Sequence, residues 1–89
     1  SSLDFALSIV RQKKSWLSEL SYIVRSLLVD YVFQDGNKRT ASTIIIFYLQ
    51  QKNFNYNKEK IINAILLISK KNINDINRIM RLIKNVINI

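Results

Sequence analysis

Leu17, Leu20, Val24, Leu27 and Tyr31 step along the chain by threes and fours, with Glu19, Ser21, Arg25 and Ser26 between them. That period gathers the apolar positions on one side of a helix and predicts an amphipathic helix over 16–31. Ile76, Ile79, Ile83 and Val86 repeat the pattern near the C-terminus, with Asn77, Arg78, Arg81 and Lys84 turned outward, and predict a helix over 74–88. Isoleucine favours strands by propensity, but spacing decides here. Further helices are expected over 3–13, 38–51 and 58–70. The stretch from Ala41 to Leu49 is apolar at nearly every position, including Ile44, Ile45, Ile46, Phe47 and Tyr48. A helix apolar all round is enclosed by protein, so this one is expected at the centre. The connection from Lys52 to Asn57 is rich in Asn, and Asn57 can cap the fourth helix. The expected fold class is therefore all-α: one domain over 1–89, with about five helices around a buried central helix.

Composition narrows the chemistry. The 89 residues include no Cys and no His, which removes thiolate and imidazole metal ligands and every Ser-His-Asp or Cys-His catalytic group. The longest apolar run, Ile44 to Leu49, is far short of the roughly 20 residues of a spanning helix. No basic-then-apolar leader precedes the first helix, and the chain starts at Ser1 without Met, as a processed chain or a fragment would. No membrane partner is expected, and the expected location is cytoplasmic. The net charge of +8 is uneven. Residues 1–30 carry about +1, 31–57 about +2 and 58–89 about +5, the last from seven Lys or Arg against Glu59 and Asp75. Two solvated helix faces account for the last figure. An acidic partner such as nucleic acid is the sharper reading.

The segment from Tyr31 to Ala41 carries the candidate chemistry. It joins an amphipathic helix to the central one and holds the only glycine, Gly36, followed by Asn37, Lys38 and Arg39. Glycine permits left-handed backbone and close approach of a ligand. The helix start that follows offers unpaired amides and a partial positive charge. Lys38 and Arg39 add full charges there, although basic residues in a first turn oppose the helix dipole. The combination suits an anion, phosphate above all. Asp35 could hold a Mg²⁺ ion that bridges phosphates. The plain alternative is a turn, with Asp35 or Asn37 capping the helix and the cations facing water.

The run Phe33-Gln34-Asp35-Gly36-Asn37-Lys38-Arg39-Thr40-Ala41 resembles the signature of Fic/Doc proteins, His-x-Phe-x-(Asp/Glu)-Gly-Asn-(Gly/Lys)-Arg. Leu3-Asp4-Phe5-Ala6-Leu7 is similar to the short helix that opens many Doc-like members, and the apolar run after Ala41 to their central helix. The resemblance spans about Leu3 to Asn53. It implies a small all-α bundle around the motif helix. It also implies transfer of part of a nucleotide, often AMP from ATP, or of a phosphate in the Doc branch, to a protein hydroxyl. Lys38 is similar to the Doc branch. By position, the resemblance implies that Asp35 holds Mg²⁺. Gly36, Asn37 and Lys38 would present amides to the phosphates of ATP, and Arg39 would pair with their oxygens. Phe33 would pin the loop into the core, and Ala41 would allow close helix contact.

Three features depart from that pattern. Tyr31 stands where the family has its catalytic His, and a free Tyr, with a pKa of about 10, is a poor base at neutral pH. The family's later Arg would fall on Ser42. The flap that docks the target has only about Arg11 to Ser15 available. Ser15 to Glu19 faintly resembles the family's inhibitory pattern, but Leu20 follows, and Glu19 fits a solvated helix face. The expected function is a degenerate Fic/Doc-like domain that binds a nucleotide through its phosphates without efficient transfer. Two alternatives stay open: an active transferase using a non-His base, and a non-enzymatic basic adaptor for protein or nucleic acid. A second copy of the chain could complete the apolar surface of the last three helices.

Overall fold

A computed structural model describes residues 15–30 and 36–88. The predicted helix over 3–13 lies outside them, as do Tyr31, Phe33 and Asp35. The first described helix, α1, runs Trp16–Leu28. Its start is fixed by Ser15, whose hydroxyl accepts the Ser18 amide at 3.2 Å. Its buried face holds Leu20, Val24, Leu27 and Leu28, together with Ser21 and Ser26. The two serines were expected outside. Each donates its hydroxyl to the carbonyl four residues back, Ser21 to Leu17 at 2.7 Å and Ser26 to Tyr22 at 2.9 Å. A serine satisfied in this way behaves as a small residue and lets a neighbouring helix approach closely.

Helix α2 runs Asn37–Gln51 and α3 runs Lys58–Lys71. Asn57 caps α3 as expected, accepting the Lys60 amide at 3.0 Å. Both helices end on a left-handed asparagine: Asn53 at φ 59° and Asn72 at φ 49°. In each case the next amide reaches back five residues, Phe54 to the Leu49 carbonyl and Ile73 to the Ile68 carbonyl, both at 3.0 Å. This is the Schellman arrangement that glycine usually serves. In a chain with one glycine, asparagine takes that place.

Helix α4 runs Ile76–Lys84, begun by Asp75, whose carboxylate accepts the Asn77 amide at 2.9 Å. The predicted helix over 74–88 is thus too long at its C-terminal end. The chain leaves α4 to form strand β2 (Ile87–Asn88), antiparallel to β1 (Asn55–Tyr56), with Tyr56 opposite Ile87. Two-residue strands are too short to show any alternation, so the pattern of apolar positions could not reveal them. The ribbon ties the α2–α3 connection to the end of the described chain, and Asn57 extends it by donating to the Val86 carbonyl at 3.0 Å.

The motif helix is not the enclosed element that its composition predicts. Helix α2 buries Ala41, Ile45 and Leu49, one residue per turn, while Phe47 is 58% exposed and Ile44 and Ile46 are half-buried. The helix most surrounded is α1, which packs against α2, α3 and α4. The physical reason is that α1, α3 and strand β1 meet α2, and Phe47 lies outside those contacts. The all-α character holds. Among the described residues there are four helices, and none is long and apolar enough to cross a membrane.

Candidate functional site

The site predicted around Gly36 begins at the start of α2. Gly36 is the N-cap, in the left-handed region at φ 74° and ψ 10°. A Cβ placed there would meet nothing within 4 Å, so conformation and not crowding calls for glycine. Having no side chain, it cannot close the first-turn amides as Ser15 and Asn57 do for their helices. Its carbonyl accepts the Thr40 amide at 2.8 Å, which sets the first turn. Asn37 is the first helical residue and is buried, so it is not the cap.

Lys38 and Arg39 are both exposed, and α2 has no acidic residue in its first turn. Both line a groove of about 290 Å³ between α2 and α3. Ser42 and Thr43 continue the α2 wall, and Ile62, Ile65 and Leu66 form the α3 wall. Thr43 donates its hydroxyl to the Arg39 carbonyl at 3.1 Å and so stays close to the helix. Ile62 and Leu66 are 52% and 47% exposed, so the groove is cationic at one end and apolar along one side. Of the predicted residues, the structure brings together Lys38 and Arg39 in this groove, with Gly36 and Asn37 at the adjoining helix start. Asp35 and Tyr31, the candidates for metal and base, lie outside the described residues. Among the described residues no three carboxylates gather to hold a metal ion.

The α3 wall was not anticipated. A signal was present: α3 carries Ile61, Ile62, Ala64, Ile65, Leu66, Leu67 and Ile68, a wider apolar arc than one core stripe uses. Ser42 is a small polar member of the α2 wall.

Glu19 also differs from expectation. It accepts a hydrogen bond from the Tyr48 hydroxyl on α2 and is half-buried, so it does not lie on a solvated face. Burial first, and then this carboxylate, raise the Tyr48 phenol above its ordinary value. Trp16, Glu19, Phe47, Tyr48, Gln51 and Lys52 line a separate groove of about 310 Å³. No family model, curated protein or solved structure matches this chain.

Proposed function

We propose that this chain is a degenerate Fic/Doc-like domain that binds a nucleotide, ATP in the first instance, through its phosphates and transfers little or nothing to a protein hydroxyl. The observation that carries the reading is the start of α2. A left-handed glycine cap without a side chain stands beside Lys38 and Arg39, and both cations line one open groove. Basic residues in a first turn work against the helix dipole by roughly 0.3–1 kcal/mol each. An anion at the same place reverses the sign of that interaction. Arg39 supplies a planar fork for phosphate oxygens and Lys38 a point charge. The apolar wall of Ile62 and Leu66 offers a surface for a nucleobase or another apolar portion of an anionic ligand.

Asp35 would hold Mg²⁺, which would neutralise phosphate charge when bound; the resemblance of the motif supports that role. Tyr31, where the resembled family has its His, would account for weak or absent transfer. With a pKa of about 10 in its free form it holds its proton at neutral pH and takes none from an attacking hydroxyl.

Calorimetry with ATP and Mg²⁺ tests the binding. We expect a dissociation constant between about 10 µM and 1 mM, weakened roughly tenfold in Arg39→Ala, the loss of one charge-assisted contact. Absence of heat with every adenine and guanine nucleotide at millimolar ligand overturns the reading. Incubation with labelled ATP and cell extract tests the second half. Labelled protein formed by the natural chain would instead establish an active transferase with a non-His base. Tyr31→His is the variant in which modification would return.

A further inference from the structure

The outer face of α4 is a second cationic surface, and it owes nothing to the groove at Gly36. Along this nine-residue helix, Asn77, Arg78, Arg81 and Lys84 are all exposed, while Ile79 and Ile83 are fully buried. From Arg78 to Lys84 the helix rises about 9 Å. Arg25 of α1 adds a guanidinium at the amino-terminal end. It stacks on Tyr22 at 4.9 Å and donates to the Asn74 carbonyl at 3.4 Å, in the loop that leads into α4. The nearest acid in sequence to Arg78, Asp75, caps α4 through the Asn77 amide, and Asp30 lies five residues from Arg25. Arg81 and Lys84, with Asn77, Met80 and Leu17, also line a groove of about 270 Å³ between α4 and α1.

We propose that this face, made by Arg25, Arg78, Arg81 and Lys84, binds the phosphate backbone of a nucleic-acid duplex without reading its sequence. Charge complementarity selects a polyanion. One duplex strand carries a phosphate about every 3.4 Å of axis, so the 9 Å row matches two to three of them. Arginine forks suit phosphate oxygens. An anionic lipid surface fits less well. A helix that lies on a membrane sets large apolar residues beside its cations and inserts them. Here Ile79 and Ile83 of α4 point into the core, Ile76, Met80 and Leu82 are half-buried, and the exposed large apolar residues, Phe47, Phe54, Ile62 and Leu66, lie on other elements.

The test is fluorescence anisotropy with a labelled 20-base-pair DNA duplex over a range of salt, on the full chain. Four phosphate contacts predict a slope of log K against log salt of about −3 to −4. The triple variant Arg78→Gln, Arg81→Gln and Lys84→Gln should bind at least about tenfold more weakly at 50 mM salt, with a slope shallower by about 2 to 3. Its thermal midpoint should match the natural chain, since all three side chains are exposed. Lys38→Gln with Arg39→Gln, which disables the nucleotide site, should retain most of the duplex affinity. A triple variant within twofold of the natural chain overturns the proposal. So does an equal loss in the Lys38 and Arg39 variant, which would make the effect one of overall charge. Tighter binding to phosphatidylserine vesicles, or to polyglutamate, than to the duplex also overturns it.

Discussion

Tyr48 on α2 donates its phenolic hydroxyl to Glu19 on α1, twenty-nine positions earlier in the chain. The bond locks the two helices in register at the end of α2 farther from Gly36. A typical intramolecular hydrogen bond contributes about 1 kcal/mol. Tyr48→Phe keeps the ring and loses the bond, and should lower stability by that amount, about 4–8 °C in midpoint for a domain of this size. The effect carries a pH signature. The folded state holds the phenolic proton more tightly than the unfolded chain does, because burial and then Glu19 raise its pKa. The associated stability is fully present below the unfolded value, about 10, and is lost as pH rises above it toward the folded value. Thermal unfolding of both proteins from pH 7 to 11 checks this. The gap between them should be constant to about pH 9 and narrow beyond about 10. A gap that persists undiminished at pH 11 would show that the bond is not what separates them.

Gly36 meets its requirement through φ alone. A Cβ there would touch nothing, yet the backbone is left-handed at φ 74°. Gly36→Ala should therefore cost about 1–2 kcal/mol without any clash. Gly36→Asn should cost less, since asparagine tolerates this region. Chemical denaturation measures both. Equal losses for Ala and Asn would mean that side-chain bulk, not backbone conformation, is at issue.

The three-four stepping of Ile76, Ile79 and Ile83 places α4 and its outward Arg78, Arg81 and Lys84 correctly, because a helix exposed on one side obeys a simple period. The same reasoning misplaces Ser21 and Ser26, since their inward orientation depends on hydroxyl bonds to Leu17 and Tyr22 that no hydropathy pattern records. It also makes α2 the enclosed helix. Composition reports how apolar a helix is, but not whether another element exists to cover Phe47. At the site, the Gly36 hinge and the two cations could be read from residue types. The partner wall of Ile62 and Leu66 could not be placed, because it depends on how α3 packs on α2.

Asn72 has the capping role that glycine fills elsewhere. Its backbone sits at φ 49°, its amide reaches the Ile68 and Ser69 carbonyls, and the following residue, Ile73, is buried. Asn72→Ala should destabilise the chain by about 1 kcal/mol, through the cost of a left-handed alanine. At exposed Asn53, φ 59°, Asn53→Gly should be neutral or stabilising by up to about 0.5 kcal/mol. Urea midpoints for the two variants should move in opposite senses or differ by at least the alanine cost. A loss on Asn53→Gly comparable to that of Asn72→Ala would show that the side chain, and not the backbone region, holds the helix end.

Ile45 and Phe47 sit two positions apart on α2 and report its orientation separately. Ile45 is 2% exposed, between Ala41 and Leu49 on the buried face. Removing its side chain leaves a cavity that close-packed neighbours fill only in part, so Ile45→Ala should cost about 2–5 kcal/mol. Phe47 is 58% exposed, with Tyr48 edge-on at 6.4 Å as its aromatic neighbour. Phe47→Ala should then fall within about 1 kcal/mol of the natural chain, the range expected of a surface side chain with one aromatic contact. If composition were the better guide and α2 were enclosed on all sides, both substitutions would open cavities and both losses would be large. Equilibrium unfolding of the two variants under identical conditions decides between those arrangements. A loss on Phe47→Ala approaching that of Ile45→Ala would mean that a partner or a second copy covers this face in solution.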